Sequence, residues 1–254
     1  MQTVVIIPTY NERENICQLI NQILTIRTDV RPSARLSNTN ESDETTLDLH
    51  VLVVDDNSPD GTGEVVEALT RQWPRLHILH RQSKRGYGLA CLAGFRWALA
   101  HNASIIISMD ADYSHDPKYI PEFCRAIEEC DMVIGSRYLT GISVVNWPLR
   151  RLLLSLFANR YIRFLIGIPV TDCTSGFRAY TAKALKRILP EKTAISGYAL
   201  LVETLFYAVR RELHIREIPI IFTERQRGQS KMSWRIIWES IWLPWRLKFR
   251  WKET

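Results

Sequence analysis

Four short apolar runs rich in β-branched residues, Val4 to Ile7, Val51 to Val54, Ile105 to Ile107 and Met132 to Ile134, recur along the first half of the chain. Helix-period segments separate them, and that alternation predicts an α/β domain built on a parallel sheet. Strands that are apolar throughout need helices on both faces, and ligands of such sheets gather beyond the carboxyl ends of the strands. Each run here ends in polar residues, so those ends are where chemistry is expected. At 254 residues the chain can bury a full core. One catalytic unit is expected over residues 1–233, with a basic, aromatic helix over 234–254.

Between the first helix and the second strand, Thr28 to Asp48 is rich in Ser, Thr, Asn, Asp and Glu without apolar periodicity, the pattern of a disordered surface insertion. Cys17, Cys91, Cys124, Cys130 and Cys173 form an odd set without CxxC spacing, which points to reduced thiols rather than a disulfide framework or zinc site. No basic leader precedes Thr3, and no apolar run reaches the ~18 residues of a spanning helix. Two later stretches are both basic and apolar. Trp147 to Pro169 fits a core-facing helix pair or a membrane-facing one equally well. Trp234 to Trp251 carries five Trp among Arg and Lys and reads as interfacial.

The third run ends in Asp110-Ala111-Asp112. Two carboxylates one residue apart at a strand end suit Mg²⁺ or Mn²⁺, which take hard oxygen ligands and complete their shells with water and phosphate. An isolated DxD is weak, because Asp also starts turns and caps helices. The second run ends in Asp55-Asp56-Asn57-Ser58-Pro59-Asp60-Gly61-Thr62. Turn chemistry and a Thr62 cap account for the tail of that segment, whereas two adjacent acids call for something cationic or hydrogen-bonding. The first run ends in Pro8-Thr9-Tyr10-Asn11-Glu12, an aromatic face and a carboxylate for a nucleoside, with Asn11 also placed to cap a helix. The fourth ends at Arg137, whose planar fork suits phosphate.

Taken in order, VVIIPTYNERENI, VLVVDDNSPDGT, KRGYGLACLAGFRWAL, IISMDADYSHDP, DMVIGSRYLTG, TSGFRAY, GYALLVETLF and RQRGQSKMS resemble the dolichol-phosphate, or polyprenol-phosphate, mannosyltransferases of glycosyltransferase family 2. The resemblance implies a GT-A fold and metal-dependent, inverting transfer of mannose from GDP-mannose to a polyprenyl phosphate. It implies that Pro8, Tyr10, Glu12, Val53, Asp55 and Asp56 meet the nucleoside side of the donor, and that Asp110, Ala111 and Asp112 meet the sugar diphosphate and metal. Arg137, Arg225 and Lys231 match diphosphate and sugar contacts. Ser114 stands where some members carry a metal-binding Gln, so a third protein ligand is in doubt. The expected location is peripheral, on the cytoplasmic face of a membrane, with room for a membrane-anchoring partner subunit.

A phosphate nucleophile is already anionic at neutral pH, so the demanding step is stabilising the departing nucleoside diphosphate. Glu203, on an apolar helical stretch, reads as orienting a basic residue. Residues 225–231 read as a loop that closes over donor, hinged at Gly228. The net charge of +6 fits any anionic partner. Acids at three strand ends argue against nucleic acid, and an intact DxD argues against an inactive scaffold. A UDP-sugar such as UDP-glucose, on the same lipid acceptor, is the alternative donor.

Overall fold

The computed structural model describes residues 1–26, 48–82, 86–189, 199–224 and 242–249. Its centre is a seven-stranded sheet in the order β3-β2-β1-β4-β7-β5-β8. The strands are β1 (Gln2–Thr9), β2 (Asp48–Asp55), β3 (Leu76–His80), β4 (Ile105–Ser108), β5 (Met132–Ser136), β7 (Arg178–Thr181) and β8 (Ile215–Pro219); β6 (Val144–Val145) and β9 (Phe222–Thr223) form a separate parallel pair. All neighbours in the main sheet are parallel except β7, which runs antiparallel between β4 and β5. The four runs seen in the sequence are β1, β2, β4 and β5. His77 and His80 interrupt edge strand β3, and β7 opens on Arg178, so neither presents a continuous apolar run.

Helices cover both faces. Val5, Ile7, Val51 and Val53 point toward α1 (Arg13–Leu24), α2 (Thr62–Thr70) and α4 (Ile120–Ala126). Their neighbours Val4, Ile6, Leu52 and Val54 point toward α3 (Tyr87–Ala100), α5 (Leu149–Ile166), α6 (Ala182–Ile188) and α7 (Ala199–Arg210). This is the two-sided burial that alternating side-chain direction imposes on apolar strands. Gly94 sets the approach of α3: a Cβ there would lie 2.5 Å from Ile6 Cγ2. The chain runs outward from β1 through β2 to β3, then returns to place β4 on the other side of β1. That reversal opens a crevice at the carboxyl ends of β1 and β4.

Some local expectations change. Asn11 has φ 61° and is not the cap of α1; Glu12 holds that position. Gly61, with φ 84°, precedes α2, so Thr62 is its first residue rather than its cap. Thr62 Oγ1 instead donates to Asp60 Oδ1 and accepts from the Glu12 backbone, tying the ends of β1 and β2 together. The expected insertion, 28–48, lies outside the described residues apart from Asp48, which opens β2.

Candidate active site

Asp110 and Asp112 leave the sheet immediately after β4, in a turn that the neighbouring residues fix. Asp112, 6% exposed, accepts through Oδ1 from the Ser114 backbone at 3.1 Å and from Ser114 Oγ at 2.5 Å. Tyr113 between them takes the left-handed conformation, φ 61°. The Asp110 N–H donates to His115 Nδ1 at 3.0 Å, so the neutral ring carries its proton on Nε2. His115 stacks on Phe177 and meets Phe222 edge-on. Burial pushes its pKa below the usual value, outweighing the pull of Asp110 and Asp112. Sequence reading missed His115; its place inside the DADYSH segment was the available signal.

The floor of this turn is Gly176. Its carbonyl accepts from Ser108 Oγ at 2.9 Å. A Cβ on it would stand 2.5 Å from the Tyr87 hydroxyl and 3.5 Å from Asp110 Oδ1, so no larger residue fits unless Tyr87 moves. Arg178 holds the segment in place. Wholly buried, it donates to the carbonyls of Cys173, Ser175 and Leu201. Glu203, expected to orient a basic residue, is buried on α7 beside Thr204, which Arg178 also reaches.

At the next strand end, Asp55 and Asp56 both find, within the fold, the hydrogen-bonding and cationic partners that two adjacent acids call for. Asp55 accepts from Thr9 Oγ1, Ser58 Oγ and the Ser58 backbone. Asp56 pairs with Arg81 and accepts from the Gly86 N–H, joining the end of β3 to the start of α3. Val53 is wholly buried in the core below, so its side chain does not face the crevice. Pro8 and Tyr10 are half-buried at the end of β1, and Glu12 accepts from Asn15 Nδ2. Ala111 is packed in the core. Arg225 and Lys231 lie outside the described residues.

Arg137 follows β5 and is 7% exposed. Its fork is held by Asp172, with Nε at 2.6 Å from Oδ2 and Nη2 at 2.7 Å from Oδ1. Burial alone would raise the Asp172 pKa, but the charge and hydrogen bonds of Arg137 hold it below the usual carboxylate value. Glu217 braces this pair from β8, accepting from the Asp172 and Thr171 backbones and from Thr171 Oγ1. Arg137 also lies within electrostatic range of Asp110. Trp147 packs against it, and Arg151 packs on the same indole while pairing with Glu224 at 2.9 Å.

Two Asp carboxylates are all that one metal ion could take from the DxD, and among the described residues no cluster of three or more His, Cys, Asp or Glu side chains could hold one. That donor set fits Mg²⁺ or Mn²⁺, which draw remaining oxygens from phosphate and water. Ser114 directs its hydroxyl proton at Asp112, the role of a carboxylate-orienting group.

The profile described as Glycosyl transferase family 2 matches residues 4–189. A polyprenol monophosphomannose synthase of Mycolicibacterium smegmatis is 40% identical over 94% of this chain and 84% of its own. An undecaprenyl-phosphate mannosyltransferase of Micrococcus luteus is 39% identical, covering 99% and 97% of the two chains. Among solved structures, glucosyl-3-phosphoglycerate synthase of Mycobacterium tuberculosis, in complex with Mn²⁺, UDP and glucosyl-3-phosphoglycerate, superposes with TM-score 0.63 at 15% identity, over 98% of this chain and 79% of that one. The mannosyltransferase PcManGT of Pyrobaculum calidifontis, in complex with GDP-Man and Mn²⁺, gives 0.59 at 19% identity, over 98% and 64%. Those two likenesses establish the GT-A fold. With the family profile spanning most of the chain and full-length relatives near 40% identity, this protein belongs to glycosyl transferase family 2, alongside the polyprenyl-phosphate mannosyltransferases.

Proposed function

We propose that the chain transfers mannose from GDP-mannose to a polyprenyl phosphate at a membrane surface, with inversion at the anomeric carbon. The observation that carries this reading is the DxD pair at the β4 end beside a buried, pre-aligned Arg137, in a chain about 40% identical to a polyprenol monophosphomannose synthase. An oxygen of the acceptor phosphate bonds to the anomeric carbon as the bond from that carbon to the GDP oxygen breaks. GDP leaves with the electron pair. Asp110 and Asp112 would hold Mg²⁺ or Mn²⁺, which supplies counter-charge to the leaving diphosphate. Arg137, fixed by Asp172, adds positive charge without having to reorganise. Arg225 and Lys231 are proposed to close on the donor from their own segment.

The acceptor is a lipid, and the surface near Arg137 suits one. Helix α5 turns Leu149, Phe157 and Phe164 outward, at 67%, 67% and 87% exposure. A short helix over residues 242–249 adds exposed Trp242 and Phe249, while Trp245 Nε1 donates to Tyr161 of α5. Neither helix contains an acidic residue; α5 carries Arg150, Arg151, Arg160 and Arg163, and the other carries Arg246 and Lys248. Exposed aromatics among cations with no acids are the composition of an interfacial surface that favours anionic lipid. Among the described residues no helix is long and apolar enough to cross a membrane. Peripheral attachment through α5 and the residue 242–249 helix is therefore the proposed mode, on the cytoplasmic face where a nucleotide sugar is available.

A thermal-shift panel of GDP-mannose, UDP-glucose and UDP-N-acetylglucosamine, each with Mn²⁺, tests the donor, because a ligand of the native state alone raises its melting temperature. Stabilisation by GDP-mannose above the UDP-sugars is expected. Stabilisation by UDP-glucose alone would replace mannose with glucose in this reading.

A further inference from the structure

Trp147 sits where the donor side of the site meets the lipid side. Phe222 touches both His115 of the DxD turn and Trp147, at ring separations of 5.4 and 5.3 Å. Two residues beyond Trp147, α5 begins with its outward apolar face. Arg137 Cζ lies 5.4 Å and Arg151 Cζ 4.2 Å from the indole centroid. The indole N–H is buried and has no hydrogen-bond acceptor among the described residues. An unpaired buried donor is costly, and native structures keep few of them without a purpose.

The two arginines differ in how firmly they are held. Asp172 beside Arg137 is wholly buried and grips two of its nitrogens. Arg151 and Glu224 are 34% and 32% exposed and share one contact, so that outer pair is the exchangeable one. A phosphate that takes the place of Glu224 on Arg151 brings three terminal oxygens instead of two, leaving one for a neighbouring donor. No Asp or Glu occurs from residue 138 to 171, so an anion arriving along α5 meets no repulsion from that segment.

We propose that Trp147 is an acceptor-binding residue whose indole N–H donates to an oxygen of the acceptor's phosphate beside Arg151. The inference rests on the reading of the acceptor as a polyprenyl phosphate. Departure of Glu224 from Arg151 frees the guanidinium beside the indole for the ligand. The indole thus does two jobs: its face seats the guanidinium groups, and its edge reads the nucleophile.

The test uses the full chain with GDP-mannose, Mn²⁺ and citronellyl phosphate, a short soluble prenyl phosphate that removes membrane binding from the readout. Trp147→Phe keeps an aromatic platform and deletes the N–H. Its KM for citronellyl phosphate is expected to rise about tenfold or more, as for loss of a hydrogen bond to a charged group. Its KM for GDP-mannose and its melting temperature stay near wild type, and Trp147→His, which restores a ring N–H, recovers part of the acceptor KM. Should Trp147→Phe fail to fold, benzothienylalanine at position 147 removes the N–H while keeping the indole outline. An acceptor KM unchanged by loss of the N–H, or donor and acceptor KM rising together, overturns the assignment. Failure of the wild type to use citronellyl phosphate or longer prenyl phosphates with any donor would instead overturn the reading of the reaction.

Discussion

Substituting Asp172 should unfold the protein's functional edge before it alters anything else. Its two carboxylate oxygens take Arg137 Nε and Nη2 at 2.6 and 2.7 Å, and both residues are buried. Asp172→Ala leaves a guanidinium inside the fold without its counter-charge, which costs about 3–5 kcal/mol. Against a typical total of ~5–15 kcal/mol that is a large share. For a domain of this size it lowers the melting temperature by roughly 6 to 20 °C. Asp172→Asn keeps an acceptor and falls between wild type and Ala. Removing both charges, Arg137→Met with Asp172→Ala, should melt above Asp172→Ala alone, because no stranded cation remains. The pH dependence has a definite sign. The folded-state pKa of Asp172 is held below its unfolded value, since the charge and hydrogen bonds of Arg137 overcome the upward push of burial. The pair therefore stabilises fully above the ordinary carboxylate pKa, and its contribution fades as pH falls through the folded value, so the gap between wild type and Asp172→Ala should narrow below about pH 4. Calorimetric melts across pH measure this. An Asp172→Ala protein melting within about 2 °C of wild type at neutral pH would mean that the ion pair is not what holds Arg137.

Asp112→Asn should keep the turn, because the amide oxygen still accepts from Ser114, yet lower kcat by about 100-fold or more; steady-state transfer rates with saturating Mn²⁺ decide it. Replacing Arg225 and Lys231 together with Ala should raise the KM for GDP-mannose about tenfold or more, the loss of charge-assisted phosphate contacts, with an unchanged melting temperature; donor kinetics check this. Phe157→Asp with Phe164→Asp, both on the exposed face of α5, should abolish flotation with anionic vesicles while leaving the melting temperature within about 2 °C; vesicle flotation and a thermal melt are the two measurements.

Much of the candidate site was legible in the sequence because chemistry-bearing residues follow apolar runs directly. Asp110, Asp112 and Arg137 each follow a strand within four residues of its end, so locating the strands located them. What stayed hidden depends on partners distant in sequence. Asp172 stands 35 residues from Arg137, and no local pattern announces that one is the other's counter-charge. Asp55 finds Ser58 within its own turn, but the other partners of Asp55 and Asp56, namely Thr9, Arg81 and Gly86, arrive from other elements. Val53, carried over from a motif, turns its side chain into the core, where period-two alternation already placed it with Val51, so a donor contact expected at that position falls to its backbone. β3 and β7 escaped because His and Arg interrupt their apolar runs, and pairing with neighbouring strands overrides such weak local preference. The outward face of α5 was undecidable from sequence, since Leu and Phe occur on both sides of the helix and only packing shows which side is left uncovered.

The central claim is that this edge, with a divalent ion on its DxD pair, moves mannose onto a lipid phosphate. Its most direct test is to incubate the purified chain with GDP-mannose labelled in the sugar, undecaprenyl phosphate in anionic vesicles and Mn²⁺, then extract the lipid and identify the product by mass. The account predicts a single mannosyl-phosphoryl lipid with β configuration, formed with Mn²⁺ or Mg²⁺, absent with EDTA and restored by excess Mn²⁺. Unchanged product formation in EDTA, or labelled glucose but not labelled mannose appearing in the lipid when each nucleotide sugar is supplied alone, would contradict it.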